Sequence, residues 1–212
     1  MIAAEGIWVS AGGRWVLEGL SLRIQRGEVA AVTGPNGCGK SVLAGALVGV
    51  TPVSGGRVCV DGIDIRRRKA RRMVGYLPQQ CGLYDYLSVA ENLHFFAAVA
   101  GVPWRRRRKI CGDLLELAGL ARLSGAMASG LTPGQRQRLA LARTLAGDPA
   151  ALVLDDPLAG LDADGRADIR HLLEEMAAMG KAVLVVAGDL EGWAPHRRWR
   201  LAEGALKGGE VA

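Results

Sequence analysis

The order of apolar and polar positions along the chain is typical of alternating strands and helices. Apolar residues alternate through "LSLRIQRG" (20–27) and continue into "EVAAVTG" (28–34), which predicts β structure. Helical spacing follows over residues 40–50, and "GRVCVDGIDI" (56–65) then predicts a hairpin that turns at Asp61-Gly62. The first part of the chain is therefore expected to be rich in β structure.

The second half returns to the same alternation after a helical interruption. Residues 88–123 carry two helical patterns that are separated at Gly101-Val102-Pro103, with no convincing strand between them. The elements predicted after this insertion are a helix over 132–145, a strand over 151–155, a helix over 163–179 and a strand over 182–187. Strand–helix–strand order of this kind predicts a largely parallel sheet.

Length and composition favour one globular domain, because half of the 212 residues are apolar. The longest apolar stretches, such as "FFAAVAGV" (95–102) and "AVLVVAG" (182–188), are far shorter than the roughly 20 residues of a membrane-spanning helix. The first residues, "MIAAEGIWVS", lack the pattern of an export signal. We therefore expect neither a membrane span nor a leader.

The cysteines do not predict a metal site. Neither C-x-x-C nor Cys/His ligand spacing is present, which favours reduced packing residues in a cytosolic protein over disulfides or zinc. The four are Cys38, Cys59, Cys81 and Cys111.

Basic runs account for part of the formal net charge of +6. They are "RRRKARR" (66–72), "WRRRRK" (104–109) and "HRRWR" (196–200). Such runs suit nucleic-acid phosphates or anionic lipid head groups, and solvated helix and loop faces explain them equally well. No nucleic-acid motif accompanies them, so no nucleic-acid partner is expected.

The segment "GPNGCGKS" (34–41) has the spacing G-x-x-x-x-G-K-[ST] between a predicted strand and a predicted helix, as a phosphate-binding loop requires. Its glycines let backbone N–H groups point at phosphate oxygens near the positive end of the helix. Lys40 would reach the β- and γ-phosphates, and the Ser41 hydroxyl would bind Mg²⁺. The residues predicted to contact nucleotide here are Gly34, Pro35, Asn36, Gly37, Cys38, Gly39, Lys40, Ser41 and Val42.

The stretch "VLDDPLAGLD" (153–162) brings acids to the end of an apolar strand. A Mg²⁺–nucleotide needs an acidic partner at the end of a neighbouring strand, and Asp155 is placed to hold the metal or its water shell. The adjacent Asp156 would then act on the attacking water. A third acid, Asp162, lies in the loop beyond.

A later helix is a candidate for a second anion site. Thr132 stands where an N-cap residue should, and Pro133 is at the first helical position. The start of such a helix presents unpaired N–H groups to an anion. A well-capped helix without any ligand explains the same residues.

Together these motifs resemble the nucleotide-binding subunit of ATP-binding-cassette (ABC) transporters over nearly the whole chain. Between the two phosphate-site motifs, "VGYLPQQ" (74–80) resembles the Q-loop; "LTPGQRQRLALARTL" (131–145) resembles the signature and "AGLD" (159–162) the D-loop. The phrase "LYDYLSVAENLHFFAAVAG" (83–101) is similar to exporter ATPases of the drug/lipid and haem types.

The resemblance implies an α/β fold of the P-loop NTPase (ABC ATPase) class. It implies a mostly parallel core sheet, an N-terminal antiparallel β-subdomain and an inserted α-helical subdomain. Residues 1–212 would form one domain, with the core and β-subdomain in 1–87 and 131–212 and the helical subdomain over about 88–130.

The resemblance also implies the roles of residues and partners. Gln79 would lie near the attacking water and bind Mg²⁺ with Ser41 and Asp155, and the catalytic residues would be Asp156, Gln79 and Lys40. ATP and Mg²⁺ are the implied cofactors. The implied partners are a separate membrane-spanning permease and a second ATP-binding subunit, in a homo- or heterodimer at the cytoplasmic face of the cell membrane. Across that dimer, further nucleotide contacts would come from Thr132, Gly134 and Gln135.

Two departures from the family pattern affect hydrolysis. The family usually has glutamate at the position of Asp156. Aspartate is one methylene shorter, which retracts the carboxylate by roughly 1.5 Å. A misplacement of about 1 Å can lower a catalytic rate on the order of 10²-fold. The expected switch histidine is matched by Gly188, which is followed by Asp189. The histidines of the chain lie in unrelated segments, at His94, His171 and His196. We therefore expect nucleotide binding with slow turnover.

Three milder departures accompany these. The usual Ser-Gly-Gly of the signature is Thr132-Pro133-Gly134, which removes one backbone donor. Val42 replaces a common hydroxyl residue. The aromatic residue that often stacks on adenine is matched by Ala11, between Trp8 and Trp15, and either tryptophan could stack on the base or pack on the sheet.

Three functions remain open from the sequence. The first is an energy-coupling ATPase subunit of an exporter. The second is a nucleotide-gated binding or regulatory module with negligible catalysis, which Asp156 and Gly188 favour. The third is a soluble cassette ATPase that acts on nucleic acid, ribosomes or cofactor assembly, against which stand a single cassette and the lack of a base-stacking motif.

Overall fold

The structure is a computed structural model that describes residues 1–80, 82–190 and 192–211. Cys81, one of the four cysteines, lies outside the described residues. The elements in chain order are β1 (Ile2–Ala11), β2 (Arg14–Ile24), β3 (Val29–Thr33), α1 (Lys40–Val48), β4 (Gly55–Val60), β5 (Ile63–Asp64), α2 (Arg68–Arg71), β6 (Val74–Leu77), α3 (Val89–Val99), α4 (Trp104–Leu117), α5 (Pro133–Thr144), β7 (Ala151–Asp155), α6 (Ala163–Ala178), β8 (Ala182–Ala187), β9 (Arg197–Ala202) and β10 (Ala205–Val211).

One compact unit holds both sheets and comprises Met1–Gln79, Ala150–Pro157 and the described residues from Leu173 onward. The first sheet is antiparallel, with strand order β2-β1-β4-β5. The second has the order β10-β9-β3-β8-β7-β6, parallel from β9 to β6, with β10 antiparallel at its edge. The fold is thus α/β with a mostly parallel core sheet and an N-terminal antiparallel sheet.

The parallel strands in the middle of this sheet bring the chemistry together. Every residue of β3, β7 and β8 is buried, as expected for parallel strands covered on both faces. Strand β8 lies between β3 and β7, and all three run in the same direction. The carboxyl ends of β3 and β7 therefore meet at one edge of the sheet, where Gly34 follows the first and Asp155 ends the second.

The second compact unit is helical and contains the described residues of 80–149 together with Leu158–Leu172. It is larger than the predicted insertion over 88–130 because α5 packs against α3 and α4. An ion pair of 2.7 Å joins Arg136 of α5 to Asp85, and Asn92 is fully buried and binds the backbone of Tyr84. None of the described helices is both long and apolar enough to span a membrane.

Candidate functional site

The loop between β3 and α1 has the backbone shape that its glycines predict. Gly39 is the N-cap of α1 at φ 101°, and a side chain there would lie 2.8 Å from a methyl group of Val16. A side chain at Gly34 would collide with the carbonyl of Leu201 and the sulfur of Cys38. Glycine is therefore required at Gly39 by conformation and at Gly34 by close packing.

The same loop leaves a group of donors available to an anion. Among the described residues, no protein acceptor takes the backbone N–H of Gly37, Gly39, Lys40 or Ser41. The Lys40 ammonium donates to the carbonyls of Gly34 and Pro35, at 2.8 and 2.9 Å, so the cation lies against the loop. Unpaired N–H groups at a helix start, beside a cation, can donate to phosphate oxygens.

Two adjacent carboxylates face this loop from the end of β7. Asp155 is only 5% exposed, and its carboxylate has no hydrogen bond or ion pair within the described chain. Asp156 follows at φ 56°, a conformation that Asp tolerates better than most residues, and its N–H donates to Val186 at 2.7 Å. Burial raises the pKa of the Asp156 carboxyl, Asp155 raises it further and Lys40 opposes the shift.

These groups line one cleft of about 500 Å³ within the sheet-containing unit. The cleft brings together the loop residues, the predicted water-handling residues and both carboxylates: its lining is Val16, Asn36, Gly37, Gly39, Lys40, Ser41, Val42, Gln79, Asp155 and Asp156. Residues far apart in sequence therefore line the same cleft, as the order of the motifs predicts. Asn36 and Asp156, for example, are 120 positions apart.

Three of the loop residues 34–42 that are predicted to contact nucleotide do not line this cleft. Cys38 is half-buried and packs against the core, and Gly34 is buried behind the loop. Pro35 is exposed, and its carbonyl accepts from Lys40. All three support the loop's shape. Gly34 and Cys38 pack between the loop and the sheet, and the Pro35 carbonyl binds the Lys40 ammonium.

The donor set in the cleft fits Mg²⁺ that arrives with a nucleotide. The available protein donors are the Ser41 hydroxyl, the Gln79 amide and the Asp155 carboxylate, all hard oxygen ligands. A buried carboxylate without a partner is costly, and a cation relieves that cost. Among the described residues no cluster of three or more His, Cys, Asp or Glu side chains could hold a metal, so phosphate oxygens and water would have to complete the shell.

The helical unit confirms the predicted start of α5 but uses part of its donors internally. Thr132 is the N-cap, and its hydroxyl accepts from the N–H of Gln135 at 3.3 Å. The Gln135 side chain in turn accepts from the N–H of Thr132 at 3.0 Å. Since Pro133 has no N–H, Gly134 holds the one first-turn N–H without a protein acceptor in the described part of this helix. The start of α5 therefore has fewer backbone donors available to an anion than the sequence predicts.

A second cleft of about 450 Å³ lies at this helix start, within the helical unit. Thr132, Pro133 and Gly134 form one side of it, and the D-loop segment with the first turns of α6 forms the other. An ion pair of 3.0 Å between Arg138 and Asp168 joins the two helices. The signature and D-loop motifs, 20 to 30 residues apart in sequence, thus face one volume.

Asp162, the third acid of the stretch "VLDDPLAGLD" (153–162), has a structural role. The Asp162 carboxylate accepts from the N–H of Gly165 at 2.8 Å and so caps α6. A side chain at Gly165 would lie 2.8 Å from that same carboxylate oxygen, which explains the glycine in the first turn. An Asp three residues before a backbone donor at a helix start is the sequence signal for such an N-cap. The resemblance to the D-loop alone does not predict it.

We expect Asp162→Ala to lower the free energy of unfolding by about 1 kcal/mol, because an N-cap side chain is lost. Asp162→Asn keeps a capping oxygen and is the matched control, with an expected change of a few tenths of a kcal/mol. Urea unfolding followed by circular dichroism measures both. Equal losses in the two variants would show that the charge of Asp162, and not its cap, stabilises α6.

The position that corresponds to the missing switch histidine, Gly188, has open space around it in the structure. Gly188 follows β8, and a side chain built there meets no atom within 4 Å. No histidine replaces the missing group: His94 is on α3, His171 is on α6 and His196 accepts from the N–H of Val29 at the opposite end of β3, at 3.1 Å. Among the described residues the cleft has no imidazole in its lining.

The two tryptophans near Ala11 pack on the antiparallel sheet. Trp8 lies over Gly19 and Gly55, 3.4–3.5 Å from where their side chains would begin. Trp15 meets Trp8 edge to face, with ring centroids 5.4 Å apart. Neither tryptophan lines the cleft, whereas Val16 does. The antiparallel sheet therefore contributes an aliphatic side chain, and no aromatic ring, to the lining of the cleft.

Comparison with known proteins shows a family and relatives that this chain resembles. The family model described as "ABC transporter" matches residues 17–159. Nod factor export ATP-binding protein I of Rhizobium sp. (strain N33) is 36% identical, over 90% of this chain and 63% of that protein. The Escherichia coli (strain K12) lipopolysaccharide export system ATP-binding protein LptB is 32% identical, over 87% of this chain and 78% of that protein. The chain thus spans less than two thirds of the length of the first of these relatives.

A solved structure agrees in fold over the whole chain. It is the dimeric post-hydrolysis state of the ATP-binding cassette MJ0796 bound to ADP and Pi, with a TM-score of 0.87 and 27% identity. The alignment covers 100% of this chain and 98% of that one. Both sheets and the helical unit of the present chain therefore have counterparts in a nucleotide-bound cassette.

Proposed function

The chain belongs to the ABC transporter family and has the P-loop ABC ATPase fold, and on that premise we propose that it is the ATP-binding subunit that powers an exporter. Two such subunits close around ATP, and hydrolysis and release reopen them. One observation carries the proposal: the buried, unpaired Asp155 shares a cleft with the phosphate loop residues Lys40 and Ser41. Export as the direction of transport is supported by two relatives that are named for export.

In this proposal the phosphate loop holds the triphosphate. The unpaired N–H groups of Gly37, Gly39, Lys40 and Ser41 donate to phosphate oxygens. The Lys40 side chain exchanges its two carbonyl acceptors for phosphate oxygens, which carry more negative charge. Ser41, Gln79 and Asp155 would hold Mg²⁺, which when bound neutralises phosphate charge. Asp156 lies beside Asp155 in the same cleft and would orient the attacking water.

Hydrolysis in this site is proposed to be slow. The carboxylate of Asp156 stops one methylene short of the usual glutamate, and Gly188 has no side chain to contact the γ-phosphate. The groups that bind nucleotide are present, whereas the two side chains that act on the water and the γ-phosphate are altered. The site therefore favours a long-lived ATP-bound state.

The second subunit of the dimer is proposed to contact ATP through the start of α5. The hydroxyl of Thr132 and the N–H of Gly134 are the donors that the capping box leaves for an anion. Support comes from the dimeric MJ0796 cassette. Whether the partner is a second copy of this chain or a different ATP-binding subunit is open in this proposal.

The partner in the membrane is proposed to be a separate permease, which places the chain peripherally at the cytoplasmic face of the cell membrane. The helical unit carries a cluster of four aromatic rings, of which Tyr86 and Phe95 are 71% and 40% exposed. Exposed aromatic clusters mark protein interfaces. This cluster is a candidate contact for the permease.

A regulatory module with negligible ATPase activity is the second candidate function. Asp156 and Gly188 are the observations that favour it. The Asp156 carboxylate is one methylene short and Gly188 has no side chain, whereas the residues proposed to bind phosphate and Mg²⁺ all line the cleft. Steady-state ATPase measurements on the purified chain separate the two functions. Measurable turnover that depends on Asp156 supports the ATPase subunit, and none at all supports the module.

Purification of the tagged chain from detergent-solubilised membranes tests the transport assignment. We expect a multi-spanning membrane protein to copurify, and its identity would also report the stoichiometry and the class of cargo. Recovery of ribosomes or soluble enzymes instead would contradict the assignment and support a non-transport ABC ATPase.

A further inference from the structure

The first two turns of α4 form an unusual surface of the helical unit. Trp104, the first residue of the helix, is 75% exposed. The four exposed cations that follow it form no hydrogen bond or ion pair within the described part of the chain; they are Arg105, Arg106, Arg108 and Lys109. The acidic residues of the same helix, Asp113 and Glu116, come only after this run. Residues 104–109 are called the 104–109 surface below.

Part of this surface is concave. A depression of about 550 Å³ is lined by His94, Trp104, Arg105, Arg107 and Arg108, all of them in the helical unit. The guanidinium of Arg107 donates to the carbonyl of Val102 at 2.8 Å, so one side of the depression is fixed. The other arginines are exposed and without protein partners among the described residues. An anion of phosphate size would find several cations around it.

The charge alone does not decide between classes of anion, but the apolar side chains do. Besides Trp104, the helical unit exposes an aliphatic side chain close in sequence: Val99, the last residue of α3, is 68% exposed. An aliphatic side chain has no face on which a base could stack, whereas tryptophan beside aliphatic groups and cations is typical of helices that lie at a membrane surface. This combination favours lipid over nucleic acid.

We propose that the 104–109 surface docks on the anionic face of a phospholipid bilayer. The arginines and Lys109 contact lipid phosphates, and Trp104 enters the interface between head groups and acyl chains. This goes beyond the proposed function, because contact with a permease does not require the chain itself to bind lipid. Arg105, Arg106 and Lys109 follow the exposed side of α4, away from its buried Cys111, Leu114 and Leu115. Arg108 and Trp104 line the neighbouring depression together with Arg105.

Cosedimentation of the purified full chain with vesicles tests the proposal. We expect binding to phosphatidylcholine vesicles that contain phosphatidylglycerol, and little binding to phosphatidylcholine alone. Replacing Arg105, Arg106, Arg108 and Lys109 with glutamine is expected to weaken the partition coefficient by about 100-fold or more, since each cation near an anionic surface contributes about fivefold. Rising salt should weaken the wild-type binding in the same way.

A matched control is available in the other basic run of the chain. Arg67, Arg68, Lys69 and Arg72 are exposed and have no side-chain partner in the described part of the chain. Replacing these four with glutamine lowers the formal net charge by the same four units, from +6 to +2. We expect this variant to retain most of the vesicle binding. Equal losses in both variants would overturn the proposal, because net charge alone would then explain the binding.

Trp104 gives a second readout that does not depend on charge. Addition of anionic vesicles is expected to shift tryptophan emission to shorter wavelength in the wild type and not in Trp104→Phe. Emission unchanged in the wild type would contradict entry of Trp104 into the interface. Both glutamine variants are expected to bind Mg·ATP like the wild type, so a failed vesicle experiment leaves the proposed function standing.

Two competitors identify the source of the phosphate. Soluble glycerophosphoglycerol is not expected to displace the chain from vesicles, because a single head group lacks the array of phosphates. Displacement by that compound would point to a small-molecule site and overturn the proposal. Duplex DNA that binds more tightly than anionic vesicles, with the same dependence on the 104–109 surface, would overturn it in favour of nucleic acid.

Discussion

Replacing Lys40 with alanine is expected to weaken Mg·ATP binding by about 10- to 150-fold, the loss that follows when hydrogen bonds from a charged group to phosphate disappear. The Lys40 ammonium lies 2.8–2.9 Å from two loop carbonyls in the cleft that Asp155 and Ser41 also line. The cation is therefore held where the phosphates are proposed to bind. Calorimetric titration with Mg·ATP measures the effect.

Lys69→Ala is the matched control for this change, because Lys69 is an exposed lysine of the 66–72 run without a partner in the described chain. It is expected to leave ATP affinity unchanged. Thermal unfolding should show that Lys40→Ala remains folded. If Lys40→Ala bound Mg·ATP as tightly as the wild type, the cleft would not be the triphosphate site.

The double change Asp156→Glu/Gly188→His is expected to raise the ATPase turnover number by about 100-fold, since it restores roughly 1.5 Å of carboxylate reach and supplies an imidazole for the γ-phosphate. The backbone at Gly188 accepts a side chain, because a Cβ atom there meets no atom within 4 Å. The affinity for Mg·ATP should change little, because neither substitution alters the phosphate loop. Steady-state phosphate release measures the turnover.

Two single variants are the controls for the double change. Gly188→Ala restricts the backbone without adding an imidazole and is expected to leave turnover unchanged. Asp156→Asn should remove the residual activity of the wild type. The Asp156 backbone is at φ 56°, where glutamate is less favourable than aspartate, so stability must be measured for Asp156→Glu. Brisk wild-type turnover that the double change fails to improve would contradict a slow site.

The sequence predicted the elements that form the cleft well, because the motifs around it are local and lie at the ends of elements. The strands over 151–155 and 182–187 have the predicted bounds, and α1 begins at the predicted Lys40. Because parallel strands end at one edge of a sheet, the order of β3 and β7 was enough to predict that Asp155 and Ser41 share a cleft. The hairpin with its turn at Asp61-Gly62 is also confirmed.

Other features depended on contacts that a local pattern does not show. Strand β9 was interpreted as a basic run, although Trp199 and Leu201 are buried and alternate with exposed Arg198 and Arg200. Strand β1 has a positive φ at Gly6 and several register shifts against β2, which interrupt the alternation of apolar residues. The larger helical unit follows from side-chain packing between α3 and α5, which lie more than 30 residues apart in sequence.

Two residues that were assigned to motifs use their polar atoms for helix capping instead. Gln135 was predicted to contact nucleotide, but its side chain and N–H both complete the capping box with Thr132. Asp162 caps α6 instead of lying open in the D-loop. In both cases a polar side chain at a helix start accepts a hydrogen bond from a nearby backbone N–H group. Such N–H groups have no acceptor within the helix and are correctly oriented for the bond.

Titration of the wild-type chain with ATP, with and without Mg²⁺, tests most directly whether the cleft holds a magnesium nucleotide. We expect saturable binding below millimolar ATP when Mg²⁺ is present, and binding at least about tenfold weaker without it, because a buried unpaired carboxylate then faces the phosphates. Asp155→Asn should lose the dependence on Mg²⁺, whereas Asp113→Asn on exposed α4 should keep it. No saturable binding at millimolar Mg·ATP, or equal affinity with and without Mg²⁺ in the wild type, would contradict the assigned site.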